Sequence, residues 1–365
     1  MEKIKNILKK EILGKDDIIA LLGARDKESL AMIRRRAYEI MAKNCGEEVY
    51  LRGLIEFSNM CVNDCYYCGI RNSNENVARY LLDKEEILEI ADWCAGMGYG
   101  SVVLQSGERS DDAFIDFVTR VVSEIKKRSV SDRLPDGLGI TLCIGEQSYE
   151  TYKRLFEAGA HRYLLRIETT SPSLFSKIHP PELSLENRID CLQHLHKAGY
   201  QVGTGVMIGL PGQTIEDLAN DIIFFREMDV DMIGMGPYII HNQTPMSQYS
   251  DEINPKRDEI FSLALKMIGV TRIALKNVNI ASTTALQAMD PAGREEGLLW
   301  GANVIMPMLT PTKIRKNYQL YEGKPCLDEF ASDCHACLRA RIESIGRNIA
   351  YDLWGDSRHF VTKKI

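Results

Sequence analysis

Two rhythms of apolar residues alternate along this chain. Short apolar runs centred on Gly53–Phe57, Ser101–Gln105, Gly139–Cys143, Tyr163–Ile167, Gln201–Ile208, Asp231–Gly236, Asn279–Ala281 and Ala302–Met306 predict buried strands. Between them, apolar residues recur at helical spacing over Lys84–Met97, Asp111–Lys127, Tyr149–Glu157, Leu185–Lys197, Ile215–Met228 and Pro255–Leu275. Glycine closes several helices just before the next strand, as in Ala95-Gly96-Met97-Gly98 and Ala198-Gly199-Tyr200. Residues 1 to about 45 read as two or three helices, with Leu8, Ile12, Leu21 and Leu22 in partial helical register. Eight strand–helix repeats over roughly 250 residues suit an α/β fold of the (β/α)8, TIM-type barrel kind. A doubly wound sheet is the competing layout, because alternation alone does not show closure. Nothing between the repeats resembles a linker. The expected organisation is a helical extension over 1–47, one barrel over 48–310, and a tail over 311–365 that closes the barrel and ends in a helical stretch, Ala336–Ile349.

In such a barrel, ligands gather at the C-terminal strand ends. The residues there are Ser58–Cys68, Ser106-Gly107-Glu108, Gly145-Glu146, Glu168-Thr169, Gly209–Gln213, Pro237–Thr244, Ser282–Thr284 and Pro307–Thr310, nearly all polar or glycine-rich. That is the composition of an active-site rim.

Charge narrows the function by exclusion. A net charge of −6 over 365 residues, with basic residues scattered, leaves no footprint for nucleic acid. No stretch approaches a membrane span, and Met1–Lys5 leads into a charged amphipathic helix, so a cytoplasmic location is expected. Ten cysteines in such a chain need an explanation other than disulfides. Cys45, Cys94, Cys143 and Cys191 stand alone and read as small core or surface residues, while Cys61, Cys65 and Cys68 form one cluster and Cys326, Cys334 and Cys337 another.

The first cluster follows the first strand directly. Thiolates are the usual ligands of iron–sulfur clusters, and a cubane has four corners. This segment fills three, whereas a structural zinc site takes four protein ligands, so an open metal corner is indicated. The spacing Cys61-x3-Cys65-x2-Cys68, with Tyr67 before the last cysteine, resembles the hallmark of the radical S-adenosylmethionine (SAM) superfamily. The resemblance implies a 4Fe–4S cluster whose free iron is chelated by SAM, with reductive cleavage to a 5′-deoxyadenosyl radical. Ser106-Gly107-Glu108 matches the family segment that meets the methionine ammonium, with serine for the first glycine. Gly205-Val206-Met207-Ile208-Gly209 is similar to the strand-five motif that packs on adenine.

Across nearly the whole chain the sequence resembles the HydE-type maturases of [FeFe]-hydrogenase. The matching stretches include Ile55–Asn59, Val103–Glu108, Arg162–Thr169, Gly209–Thr214, Ala281–Ala285 and Gly301–Pro307. The resemblance implies a complete barrel around a large cavity, with Glu168 and Arg188 binding SAM. It places Thr141, Arg166, Thr283, Thr284, Met306, Tyr318 and Tyr321 along the cavity or against SAM. It implies a second iron–sulfur cluster, 2Fe–2S or 4Fe–4S, at Cys326, Cys334 and Cys337, where zinc with His335 or free thiols are the alternatives. The implied substrate is a cysteine-bound Fe(CO)2CN unit, or a small organic molecule if the chain follows the methylornithine and biotin synthases. A non-catalytic iron–sulfur carrier is the rival from another class. Implied partners are a reductant such as ferredoxin or flavodoxin and the maturases HydG and HydF. The loop Gly236–Pro245 departs from the family: Ile240, Asn242 and Gln243 stand where Pro, Pro and Asp are usual, and His241 is kept.

Overall fold

A computed structural model describes residues 1–363. All eight expected strands form, as β1 (Glu48–Ser58), β2 (Ser101–Ser106), β3 (Gly139–Cys143), β4 (Arg162–Leu164), β5 (Gln201–Thr204), β6 (Met232–Ile233), β7 (Asn279–Ile280) and β8 (Val304–Ile305). They pair in parallel in the order β8-β1-β2-β3-β4-β5-β6-β7. A parallel bridge between Ala281 and Val304 joins the two ends, with Asn303 N donating to Ile280 O at 3.0 Å and Ser282 N to Val304 O at 2.9 Å. The ring is a barrel, and the open-sheet alternative falls.

Apolar stripes on the connecting helices pack against the outside of this ring. Helix Asp112–Arg128 buries Phe114, Ile115, Val118, Val121, Val122 and Ile125 and starts on Asp111, whose side chain accepts from Phe114 N. Capping boxes open two others: Asp83 with Glu86 before Lys84–Gly96, and Thr214 with Asp217 before Ile215–Glu227. The N-terminal region is three helices, of which Lys27–Cys45 packs on Arg257–Leu275. Among the described residues, no helix is long and apolar enough to cross a membrane.

The tail differs from expectation. Its helix spans Ala331–Ser344 rather than Ala336–Ile349, because Gly346, at positive φ, ends it and Asn348–Ala350 becomes a ninth strand, β9, pairing with the start of β1. The tail then seals the barrel floor. Trp354 O accepts from Arg162 (2.7 Å) and Ser101 (2.8 Å), and Gly355 O from Arg52 (2.9 Å) and Asn279 (2.8 Å). Asp356 pairs with Arg162 at 2.9 Å. Gly100 is required where this segment crosses, since a Cβ there would lie 1.9 Å from Leu353 O.

The floor carries a pH signature. His161 stacks on Trp354 with ring centroids 4.6 Å apart, and burial holds its pKa down at about 4 despite Asp356. Burial, with Arg188 adding to it, holds His179 near the active site at about 3. Both rings stay neutral in the folded protein, while the unfolded chain protonates them near about 6.5. This stability is therefore complete above about pH 6.5 and is lost as pH falls towards about 4. Each ring contributes up to about 1.4 kcal/mol per pH unit. The urea midpoint is expected to drop between about pH 7 and about pH 5, and less steeply in His161→Gln; equal slopes in the two proteins would contradict this account.

Candidate active site

One cavity of about 280 Å³ occupies the C-terminal mouth and interior of the barrel. The loop leaving β1 brings Cys61, Cys65 and Cys68 to its wall. This loop lies tightly against the end of β2: Glu108 N points at Cys61 Sγ (3.4 Å), and Val62 N donates to Glu108 O (3.0 Å). Gly107 permits the contact, because a Cβ there would meet Met60 O at 2.4 Å and Cys61 Cβ at 2.7 Å. Gly69 is crossed equally closely by Gln319 O of the tail.

Charged groups converge beside these thiols. Glu108 rests on Gly145, whose positive φ and missing Cβ make room for it. Arg188, from helix Leu185–Ala198, lies 3.9 Å from Glu108, donates through Nε to Glu146 at 2.5 Å and through a terminal nitrogen to Arg166 O at 3.1 Å. Burial opposes its charge, but Glu146 and Glu108 outweigh that and hold its pKa above the ordinary value. Burial raises Glu108, with Arg188 pulling it back. Glu168, at φ 64, sits in a left-handed backbone conformation that non-glycine residues rarely adopt. It pairs with Arg166 at 3.0 Å, and its other carboxylate oxygen lies 3.5 Å from the Tyr67 hydroxyl.

The remaining expected residues divide by wall. Ser106, Gly107 and Met207 line the cavity near the thiols. Thr283, Thr284 and Tyr321 line another side, with Thr284 and Tyr321 hydroxyls 2.8 Å apart. Met306 and Tyr318 line the interior, where the Tyr318 hydroxyl accepts from Gln105 at 3.2 Å. Thr141 is elsewhere. It borders a smaller cavity of about 30 Å³ nearer the floor and accepts from Arg162 Nε at 3.1 Å, because its register on β3 sets it below Cys143. The distal cysteines are only partly gathered. Cys326, Cys334 and Glu329 bring their ligand atoms within 4.8 Å of one another, whereas Cys337 is exposed, beside Arg341.

Sequence alone does not single out two cavity groups, Glu56 and Lys324, and it places Glu146 on the rim without a role. Glu146 is the partner that fixes Arg188. Glu56, within β1, and Lys324, in the tail, form a buried ion pair of 2.5 Å on the cavity wall. A carboxylate inside the apolar run Leu54-Ile55-Glu56-Phe57 is a legible signal, since a buried charge demands a partner. Nothing in sequence marks Lys324 as that partner.

The wall suits the cofactors of the resemblance. Burial raises Cys61, Cys65 and Cys68, Cys68 to about 12, and each of Cys65 and Cys68 is raised further by its neighbouring thiols. Three such thiols become thiolates together only around a strongly positive occupant, which an iron–sulfur core supplies. The acidic and basic groups beside them complement an amino-acid zwitterion.

Comparison with known proteins agrees. Residues 55–225 match the model of the radical SAM superfamily. The chain is 44% identical to the [FeFe] hydrogenase maturase subunit HydE of Thermotoga maritima over 342 residues, 93% of either protein. It is 25% identical to 3-methylornithine synthase of Methanosarcina acetivorans over 92% of this chain and 89% of that one. Two solved structures share the fold. Methylornithine synthase has a TM-score of 0.79 at 24% identity, covering 96% of this chain and 98% of that one. The hydrogenase maturase HydG has a TM-score of 0.76 at 20% identity, covering 94% and 74%. With the cysteine motif, the barrel and an alignment spanning nearly all of a HydE, this chain belongs to the radical SAM superfamily as a HydE homologue, an enzyme that works with a 4Fe–4S cluster and SAM.

Proposed function

We propose that this enzyme forms a 5′-deoxyadenosyl radical and directs it at a cysteine-bound Fe(CO)2CN precursor during assembly of the diiron centre of [FeFe]-hydrogenase. One observation carries the reading: three thiols, an Arg188–Glu108–Glu146 group and an Arg166–Glu168 pair share one end of the barrel cavity. Cys61, Cys65 and Cys68 would hold the 4Fe–4S cluster. When bound, the cluster and SAM together supply one-electron cleavage of the sulfonium. Glu108 accepts from the methionine ammonium, and Arg188, steadied by Glu146, faces its carboxylate. Glu168 accepts from the nucleoside, with Tyr67 and Arg166 fixing its position, and Met207 covers the base. Tyr318, Tyr321 and the tail exclude water, which protects a reactive intermediate from side reactions. Cys326 and Cys334, with Glu329, would hold an auxiliary metal centre. HydF and HydG are the partners of this reading, and ferredoxin or flavodoxin the reductant.

Similarity to 3-methylornithine synthase over most of both chains supports a second reading, an organic substrate in the same cavity. Product analysis after anaerobic turnover separates the two. The first predicts deoxyadenosine formation stimulated by the iron precursor, and no such stimulation would overturn it. Glu108→Gln is expected to weaken SAM binding at least about tenfold, equivalent to about 1.4 kcal/mol for one charge-assisted contact. An unchanged Kd by equilibrium titration of the reconstituted protein would remove Glu108 from the site.

A further inference from the structure

Four cysteines stand outside both clusters, and three of them are ordinary core thiols. Cys45 is buried with Arg272 Nη1 3.2 Å away, Cys94 donates to Ser101 O at 3.7 Å, and Cys191 to Gln147 O at 3.8 Å. Cys143 differs. It ends β3 and keeps surface open to the main cavity, and its thiol makes no hydrogen bond among the described residues. Burial pushes its thiol up to about 12, and Arg166 is the foremost charge pulling it back.

The surroundings are soft as well as apolar. Cys143 and Met306 both pack against a buried group made of Leu54, Val103 and Met308, and all three sulfur side chains line the cavity. The Arg166–Glu168 and Arg188–Glu146 pairs of the cavity mouth lie within electrostatic reach of this thiol. A methionine in a cavity wall is ordinarily a gap-filler. Here two thioethers adjoin a thiol that makes no hydrogen bond among the described residues, all three facing the cavity. Thiolate and thioether ligands select thiophilic metal centres over hard cations.

We propose that this sulfur wall is a substrate subsite in which Cys143 binds the low-valent iron of a metal-bearing substrate, with Met306 and Met308 as its soft surroundings. The proposal rests on the iron-precursor reading above. Binding is a ligand exchange without redox change. The thiol gives its proton to water, a sulfur lone pair forms the Fe–S bond, and a neutral ligand, such as water, leaves the iron. The metal supplies the positive charge that a buried thiolate requires.

The test uses the full-length reconstituted protein and a synthetic cysteine-bound Fe(II)(CO)2CN complex. Infrared spectra report the carbonyl and cyanide stretches, which move to lower frequency when a thiolate joins the iron. Wild type is expected to show this shift, and Cys143→Ser and Cys143→Ala to lose it and bind at least tenfold more weakly. Met308→Leu, which conserves volume, should weaken binding and keep the shift. If the complex binds with the same spectrum and Kd to wild type and Cys143→Ser, the subsite is refuted while the precursor reading stands. If wild type does not bind the complex, both are refuted.

Discussion

Cys65→Ala is expected to reduce deoxyadenosine formation by at least about three orders of magnitude, or about 4 kcal/mol of barrier. The measurement is an anaerobic assay after iron and sulfide reconstitution and reduction. Removing one of the three proposed thiolate ligands would leave the cluster underligated, so the loss should fall on turnover and on the iron bound per chain together. Cys334→Ala should keep most activity, since Cys334 pairs with Cys326 and Glu329 at a separate place in the tail. Full activity in Cys65→Ala would remove the cluster from these cysteines. A complete loss in Cys334→Ala would show that the distal site is essential.

Lys324→Met should be the most damaging single change to stability. Its ammonium lies 2.5 Å from Glu56 and donates to Tyr318 O at 2.8 Å, deep in the wall between barrel and tail. Burial raises the Glu56 pKa, and Lys324 opposes that shift. Deleting one member of such a pair strands a buried charge, at a cost of about 3–5 kcal/mol. The double variant Glu56→Leu/Lys324→Met should recover much of that loss, because it strands no charge. Thermal melts decide it: a Lys324→Met midpoint equal to wild type would contradict the description of this wall. So would a double variant less stable than the two single losses summed.

Much of this architecture is readable along the chain, for physical reasons. Buried parallel strands announce themselves as apolar runs, and the glycines and helix caps between them punctuate the repeats, so all eight strands lie where the pattern predicts. The cysteine triad is legible because its ligands are local in sequence and on one loop. Glu168 is expected on the rim as a strand-end residue and Arg188 and Met207 only by family resemblance, and the fold brings all three to the triad's cavity. What stays hidden depends on contacts distant in sequence. The pairing of Glu56 with Lys324 spans most of the chain. The floor built by Trp354–Asp356 needs the tail to return under the barrel, and β9 is too short to give a period. Thr141 shows the limit from the other side: it sits on the right strand, at a register facing the floor. Cys143, read as an isolated thiol of core or surface, turns out to face the cavity.

The most direct test of the central claim is the electron paramagnetic resonance spectrum of the reduced, reconstituted protein, recorded with and without SAM. In the proposed reading, Cys61, Cys65 and Cys68 would hold the cluster and leave one iron for the amino and carboxylate groups of SAM. The spectrum is therefore predicted to change on adding SAM, and to change less in Glu108→Gln at the same concentration. A spectrum that SAM leaves untouched, with the cluster fully assembled, would contradict the account.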